Sequence, residues 1–129
     1  MPSQNNTGRQ YDKRHATTMV AMAVMSAARF AAFNGTHSNG PNGARSNDVQ
    51  GVTETAAVVG EAVSVITGYS ALVEASGPIA FGEFVTPAGD GTGRAALGTV
   101  AQHCGRALGA ASVAGELFEV QLMADVRAA

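Results

Sequence analysis

Few side chains in this sequence could do chemistry. Three Gly-Glu pairs, Gly60-Glu61, Gly82-Glu83 and Gly115-Glu116, each stand just before a run of apolar residues. Three carboxylates could bind a cation or divide the roles of general acid and base. Their shared position argues instead for turns, in which glycine supplies a positive φ and the glutamate meets solvent as a strand begins. His103-Cys104 sets a base beside a thiol, but neighbours on a strand point to opposite faces. The two cannot share a proton without a bend, and Cys104 reads as a small buried residue. His15 and His37 complete a set of three histidines without metal-ligand spacing. Gly89-Asp90-Gly91-Thr92-Gly93 lacks the lysine and the following helical pattern of a phosphate loop, so it reads as a hairpin turn. Asn5-Asn6-Thr7 and Asn34-Gly35-Thr36 fit the glycosylation pattern, which has meaning only on a secretory route. No Ser/His/Asp arrangement stands out. The expectation is a protein that is not an enzyme and uses no cofactor or metal.

Composition points the same way. Charged residues make up 14% of the 129, against about 25% in an ordinary soluble protein. The hydrophobic share is 46%, but aromatics are only 5%, tryptophan is absent and alanine is abundant. Alanine buries little area, so the core is expected to be thin, and packing against copies or a partner is expected to add stability. A net charge of −2 provides no basic field for nucleic acid. No run of 18 apolar residues is present, which argues against a transmembrane helix. Residues 17–33 imitate a signal-peptide core, but the polar lead is long and Arg29 interrupts the tract, so synthesis in a cytoplasm is expected. One cysteine leaves no internal disulfide.

The elements are legible from a faint echo. Phe30 and Phe84, Gly35 and Gly89, and Gly51 and Gly105 are each 54 positions apart. After one inserted residue the offset becomes 55, pairing Gly60-Glu61 with Gly115-Glu116, Val63 with Phe118 and Val65 with Val120. Such self-similarity marks a small unit used twice. The expected organisation is an extended arm over residues 1–18 and one β-rich domain over 19–129, with repeats at about 19–72 and 73–126. Met19, Met22, Met25 and Phe30 have helical spacing, but the equivalent stretch 73–87 contains Gly77-Pro78, so two strands are expected, at 19–24 and 29–33.

Residues 34–47, rich in Asn-Gly, read as a long loop. Residues 62–75 read as a hairpin around a type II′ turn at Gly68-Tyr69. Further strands are expected at 82–87, 95–100, 103–108 and 117–122. In the last, Phe118, Val120 and Leu122 face the core and Leu117, Glu119 and Gln121 face water. Short helical turns are expected at 56–60 and 109–115. The fold class is therefore mainly β, a small barrel or sandwich built from two related strand units.

The segment from Ser76-Gly77-Pro78 through Gly82-Glu83-Phe84-Val85, then Gly89-Asp90-Gly91, Gly105-Arg106-Ala107-Leu108 and Ala114-Gly115-Glu116-Leu117-Phe118-Glu119-Val120, resembles the head decoration, or capsid cement, proteins of tailed bacteriophages. The likeness covers about 51–122. It implies a small β-rich protein, commonly a homotrimer, that binds the outer face of the capsid in the virion and reinforces junctions between major capsid protein subunits. It also implies an arm that extends a sheet of the capsid protein, for which Arg9, Tyr11, Lys13 and Arg14 are the expected contacts. A head fibre or tail subunit, or a small ligand-binding barrel, are the alternatives. Neither nucleic acid nor membrane is an expected partner.

Overall fold

The computed structural model describes residues 16–40 and 45–126. Among the described residues there are nine strands: β1 (Ala16–Val20), β2 (Phe30–Ala32), β3 (Val49–Thr53), β4 (Ala62–Ile66), β5 (Ser70–Glu74), β6 (Phe84–Pro87), β7 (Ala95–Leu97), β8 (His103–Ala107) and β9 (Leu117–Val126). They make two antiparallel sheets, in the orders β1-β4-β3-β2 and β5-β9-β8-β6-β7. A single parallel bridge between Ala75 and Ala95 ties the outer strands of the larger sheet at one end. The ladders do not close into a barrel, so the architecture is the sandwich.

The sheets repeat one another. β1, β2 and β3 begin 54 residues before β5, β6 and β8, and β4 begins 55 before β9. Both sets of four follow a Greek-key order, with β7 an addition at one edge. The loops are wired alike: the bridge between Met25 and Ala57 recurs between Ile79 and Ala111. Ala21 N–H donates to Glu61 O at 2.9 Å, and Ala75 N–H donates to Glu116 O at the same length.

Gly51 and Gly105 hold the repeated core position that requires glycine. A Cβ on Gly51 would lie 2.2 Å from Ile66 O, and one on Gly105 2.6 Å from Gln121 O and from Val120 Cγ1. Side-chain-free backbone is what lets the neighbouring strand come this close.

Several boundaries differ from the sequence reading. The first described strand covers Ala16 to Val20, whose five residues pair one for one with β4, from Ala16 opposite Ile66 to Val20 opposite Ala62. Residues 16–18 are therefore strand. The remainder of the expected arm, including Arg9, Tyr11, Lys13 and Arg14, lies outside the described residues.

The expected hairpin at 62–75 is absent. β4 and β5 belong to different sheets, and the connection takes its left-handed turn at Tyr69 (φ 61). The stretches 56–60 and 109–115 hold no helical turn. Instead the Glu61 carboxylate accepts the Val58 N–H at 2.9 Å, and the Glu116 carboxylate accepts the N–H and hydroxyl of Ser112, closing each loop without helical bonds. A 3-10 turn lies within the Asn-rich loop at Arg45–Asn47.

Two apolar clusters make the core. The larger joins Phe30 and Val52 of the small sheet to Val73, Val85, Cys104, Phe118 and Val120 of the large one. The smaller lies under the small sheet and holds Met25, Val63 and Val65 among alanines. Along β9, Phe118 and Val120 are buried while Leu117, Glu119 and Gln121 are exposed, the alternation of a sheet with one wet face.

Candidate interaction surface

The residues that looked capable of chemistry have structural roles. Gly60, Gly82 and Gly115 all take positive φ, at 92°, 87° and 90°. The glutamates after them do not converge: Glu61 and Glu116 close separate loops. Among the described residues no three His, Cys, Asp or Glu side chains are grouped to hold a metal ion. Cys104 is buried, and burial with the nearby Asp125 charge pushes its thiol well above the usual range, away from nucleophilic reactivity. The neighbouring His103 ring turns instead toward Thr99 O, 3.1 Å from Nδ1, and packs 4.5 Å from the Phe84 ring.

His37 accepts the Ser26 N–H at Nε2, 3.0 Å away. Burial, with Arg29 nearby, lowers its pKa from the ordinary 6.5. In the Gly-rich turn, Asp90 accepts both the N–H and the hydroxyl of Thr92, a local Asx turn that lowers the pKa of its carboxyl. Asn34 makes the same two bonds with Thr36.

A charged clasp between the sheets was not foreseen from the sequence. Glu74, at the end of β5, lies 3.3 Å from Arg29 Nη2 and 2.8 Å from Arg94 Nε. Arg29 also donates to Thr92 O at 2.8 Å. Three chain segments 20 or more residues apart are thereby fixed at one point. The only signal in the sequence was Arg29 itself, a charge inside an apolar tract.

What remains is surface. Among the described residues sixteen large apolar side chains are exposed, against ten that are buried, so more of their bulky apolar content faces outward than inward. The loop after β1 and the loop before β4 are bridged at Met25–Ala57, which gathers Met22 (64% exposed), Val24, Val58 and Val59 on one lobe. The equivalent lobe of the second repeat is bridged at Ile79–Ala111 and carries Phe81 (72% exposed), Leu108 and Val113. Beside it Arg106 lies over the Phe84 ring, 4.6 Å from its centre, while donating to Gly82 O. Among the described residues no helix is long and apolar enough to cross a membrane.

The arrangement defines a class by its fold: a two-sheet antiparallel sandwich of paired Greek-key units. Among solved structures it is similar to the head fiber gp8.5 N base of bacteriophage phi29, with a TM-score of 0.65 at 17% sequence identity. The likeness covers 88% of this chain and 98% of that one. No protein-family model and no curated protein matches the sequence.

Proposed function

We propose that this chain is a structural protein of a phage virion, attached to the outer face of the head. In this reading it binds at junctions between major capsid protein subunits and stabilises them, as a homotrimer built through its apolar lobes. The observation that carries the reading is the surplus of exposed bulky apolar side chains among the described residues. Binding free energy, multiplied over many copies on a lattice, does the work that turnover does in an enzyme. Residues 1–15, with Arg9, Tyr11, Lys13 and Arg14 as the working positions, supply the arm, whose main chain adds to a sheet edge of its partner.

The base of a head fibre is the second reading. It is favoured by the extent of the likeness, which spans nearly the whole phi29 base domain. Both readings place the protein on the capsid and differ in copy number and cargo.

The test is to measure the mass of the purified protein in solution and to image heads with and without it. A trimer that coats the whole head and raises its resistance to heat supports the decoration reading. Sparse attachment at a few positions supports the fibre base, and no attachment overturns both. Deleting residues 1–15, which leaves β1 whole, should weaken attachment and preserve the fold. Undiminished attachment removes the arm from the account.

A further inference from the structure

His37 sits where the first repeat meets the Gly-rich turn of the second. Its main chain bridges to Ala31 of β2, and its ring lies against Gly93, where a Cβ would stand 3.0 Å from Nδ1. The turn 35–37 holds the apolar segment 22–26 at both ends. Met22 N–H donates to Gly35 O at 2.9 Å, and Ser26 N–H donates to His37 Nε2 at 3.0 Å. Between these two ties Val24 is 70% exposed, while Met25 is buried and bridged to Ala57. Three residues beyond Ser26 stands Arg29, which reaches Thr92 O and Glu74 in the other half of the chain.

A backbone N–H can only donate, so the Ser26 tie fixes the protonation of the ring. Nε2 must be bare. The proton of the neutral imidazole then sits on Nδ1, which is buried with no hydrogen-bond partner among the described residues. A second proton, on Nε2, would set two donors face to face. The charged groups on the elements packed against the ring are Arg29, Glu74 at the end of β5, and Asp90 and Arg94 on the turn that carries Gly93. Glu74 is shared by both arginines, and Asp90 accepts from Thr92. A cationic ring would thus meet other cations beside carboxylates already engaged. Burial first, and the Arg29 charge second, hold the His37 pKa below 6.5.

We propose that His37 is an acid-sensitive latch: with Nε2 bare it ties Ser26, and with it the exposed apolar segment 22–26, to the turn 35–37, and a second proton on the ring releases that tie while the rest of the fold stands. This goes beyond the capsid reading, because the latch lies within one chain and works with or without a head. The tied state binds one proton fewer than the released one. The tie is therefore complete above pH 6.5, the value of a free ring, and weakens as pH falls toward the lower value of the tied ring.

Amide exchange followed by NMR on the full-length protein tests the latch. With rates corrected for the intrinsic effect of pH, protection of the Ser26 N–H should fall about tenfold per pH unit below 6.5, until the tied ring itself titrates. The Ala75 N–H, bonded to Glu116 O at 2.9 Å, should change by less than about twofold over the same range. His37→Gln, which does not titrate, should make Ser26 protection independent of pH. Should that variant fail to fold, correlation of ring protons with ring nitrogens in the unaltered protein gives a second readout, in which Nε2 is bare at neutral pH. A proton on Nε2 at neutral pH overturns the proposal. So does Ser26 protection that stays level while the ring titrates. Parallel loss at Ser26 and Ala75 is global unfolding and overturns the local latch.

Discussion

A close backbone approach in the core yields the sharpest prediction. Gly105→Ala places a methyl carbon 2.6 Å from both Gln121 O and Val120 Cγ1, where ordinary contact is 3.4–4 Å. Neither neighbour can yield easily. The Gln121 carbonyl belongs to the β9 backbone beside β8, and the Val120 side chain is fully buried. Relief requires β8 and β9 to separate by most of an ångström, along a ladder that also carries Phe118 and Cys104 in the shared core. Overpacking a tight core costs about 1–3 kcal/mol, and because main chain must move here we expect the upper end, about 3 kcal/mol. That is a large part of the roughly 5–15 kcal/mol typical of a whole domain. The control is Gly77→Ala, where the added carbon meets nothing within 4 Å and φ is not positive. It should change stability by less than about 0.5 kcal/mol, or raise it slightly by restricting the unfolded chain. Urea melts followed by circular dichroism give both numbers, with the shift read at constant m-value. If Gly105→Ala and Gly77→Ala melt together, the inter-strand packing described here is wrong.

Other expectations follow from the same geometry. Gly51→Ala, with its added carbon 2.2 Å from Ile66 O, should cost at least as much as Gly105→Ala in the same melts. Glu74→Gln removes the charge that faces Arg29 and Arg94 across the half-buried clasp, and should cost about 1–3 kcal/mol in urea midpoint. In the unaltered background, lysine in place of either arginine should keep only part of the stability that the arginine provides. The pKa of His37 is lowered by burial, so its contribution to stability is complete above the unfolded value of 6.5 and is lost as pH falls through the lower folded value. Urea midpoints should therefore decline below pH 6.5, and His37→Gln should flatten that part of the profile. Met22→Ser combined with Phe81→Ser should leave the melting curve within about 0.5 kcal/mol and reduce self-association measured by light scattering, since both side chains are largely exposed.

Legibility in the sequence followed the physics of each element. The 54-residue echo carried the fold because residues under the strictest constraint, such as Gly51 and Gly105, recur whatever surrounds them. β3 escaped notice: Val49-Gln50-Gly51-Val52-Thr53 follows an Asn-rich loop and has little alternation. The match of Gly51 to Gly105, inside an expected strand, was the signal that could have found it. The supposed hairpin at Gly68-Tyr69 shows the opposite failure, because local turn chemistry cannot tell a return within one sheet from a passage to the next. The Glu74 clasp was invisible for a similar reason, since its partners come from distant segments. Surface apolar residues were legible only as composition. Which of them face outward depends on register, and register required coordinates.

The small sheet is drawn entirely from residues 16–66 and the large one from 70–126, joined by three residues. Each half can thus complete its pairing from one uninterrupted stretch, so the first can close while the second is still being synthesised. The same arrangement creates a hazard. β4 and β9 are near-equivalents with similar neighbours, and in a crowded assembly one chain's β9 could enter another's vacancy. β7, present in only one half, gives the two sheets different edges, a distinction that helps each strand find its own partners.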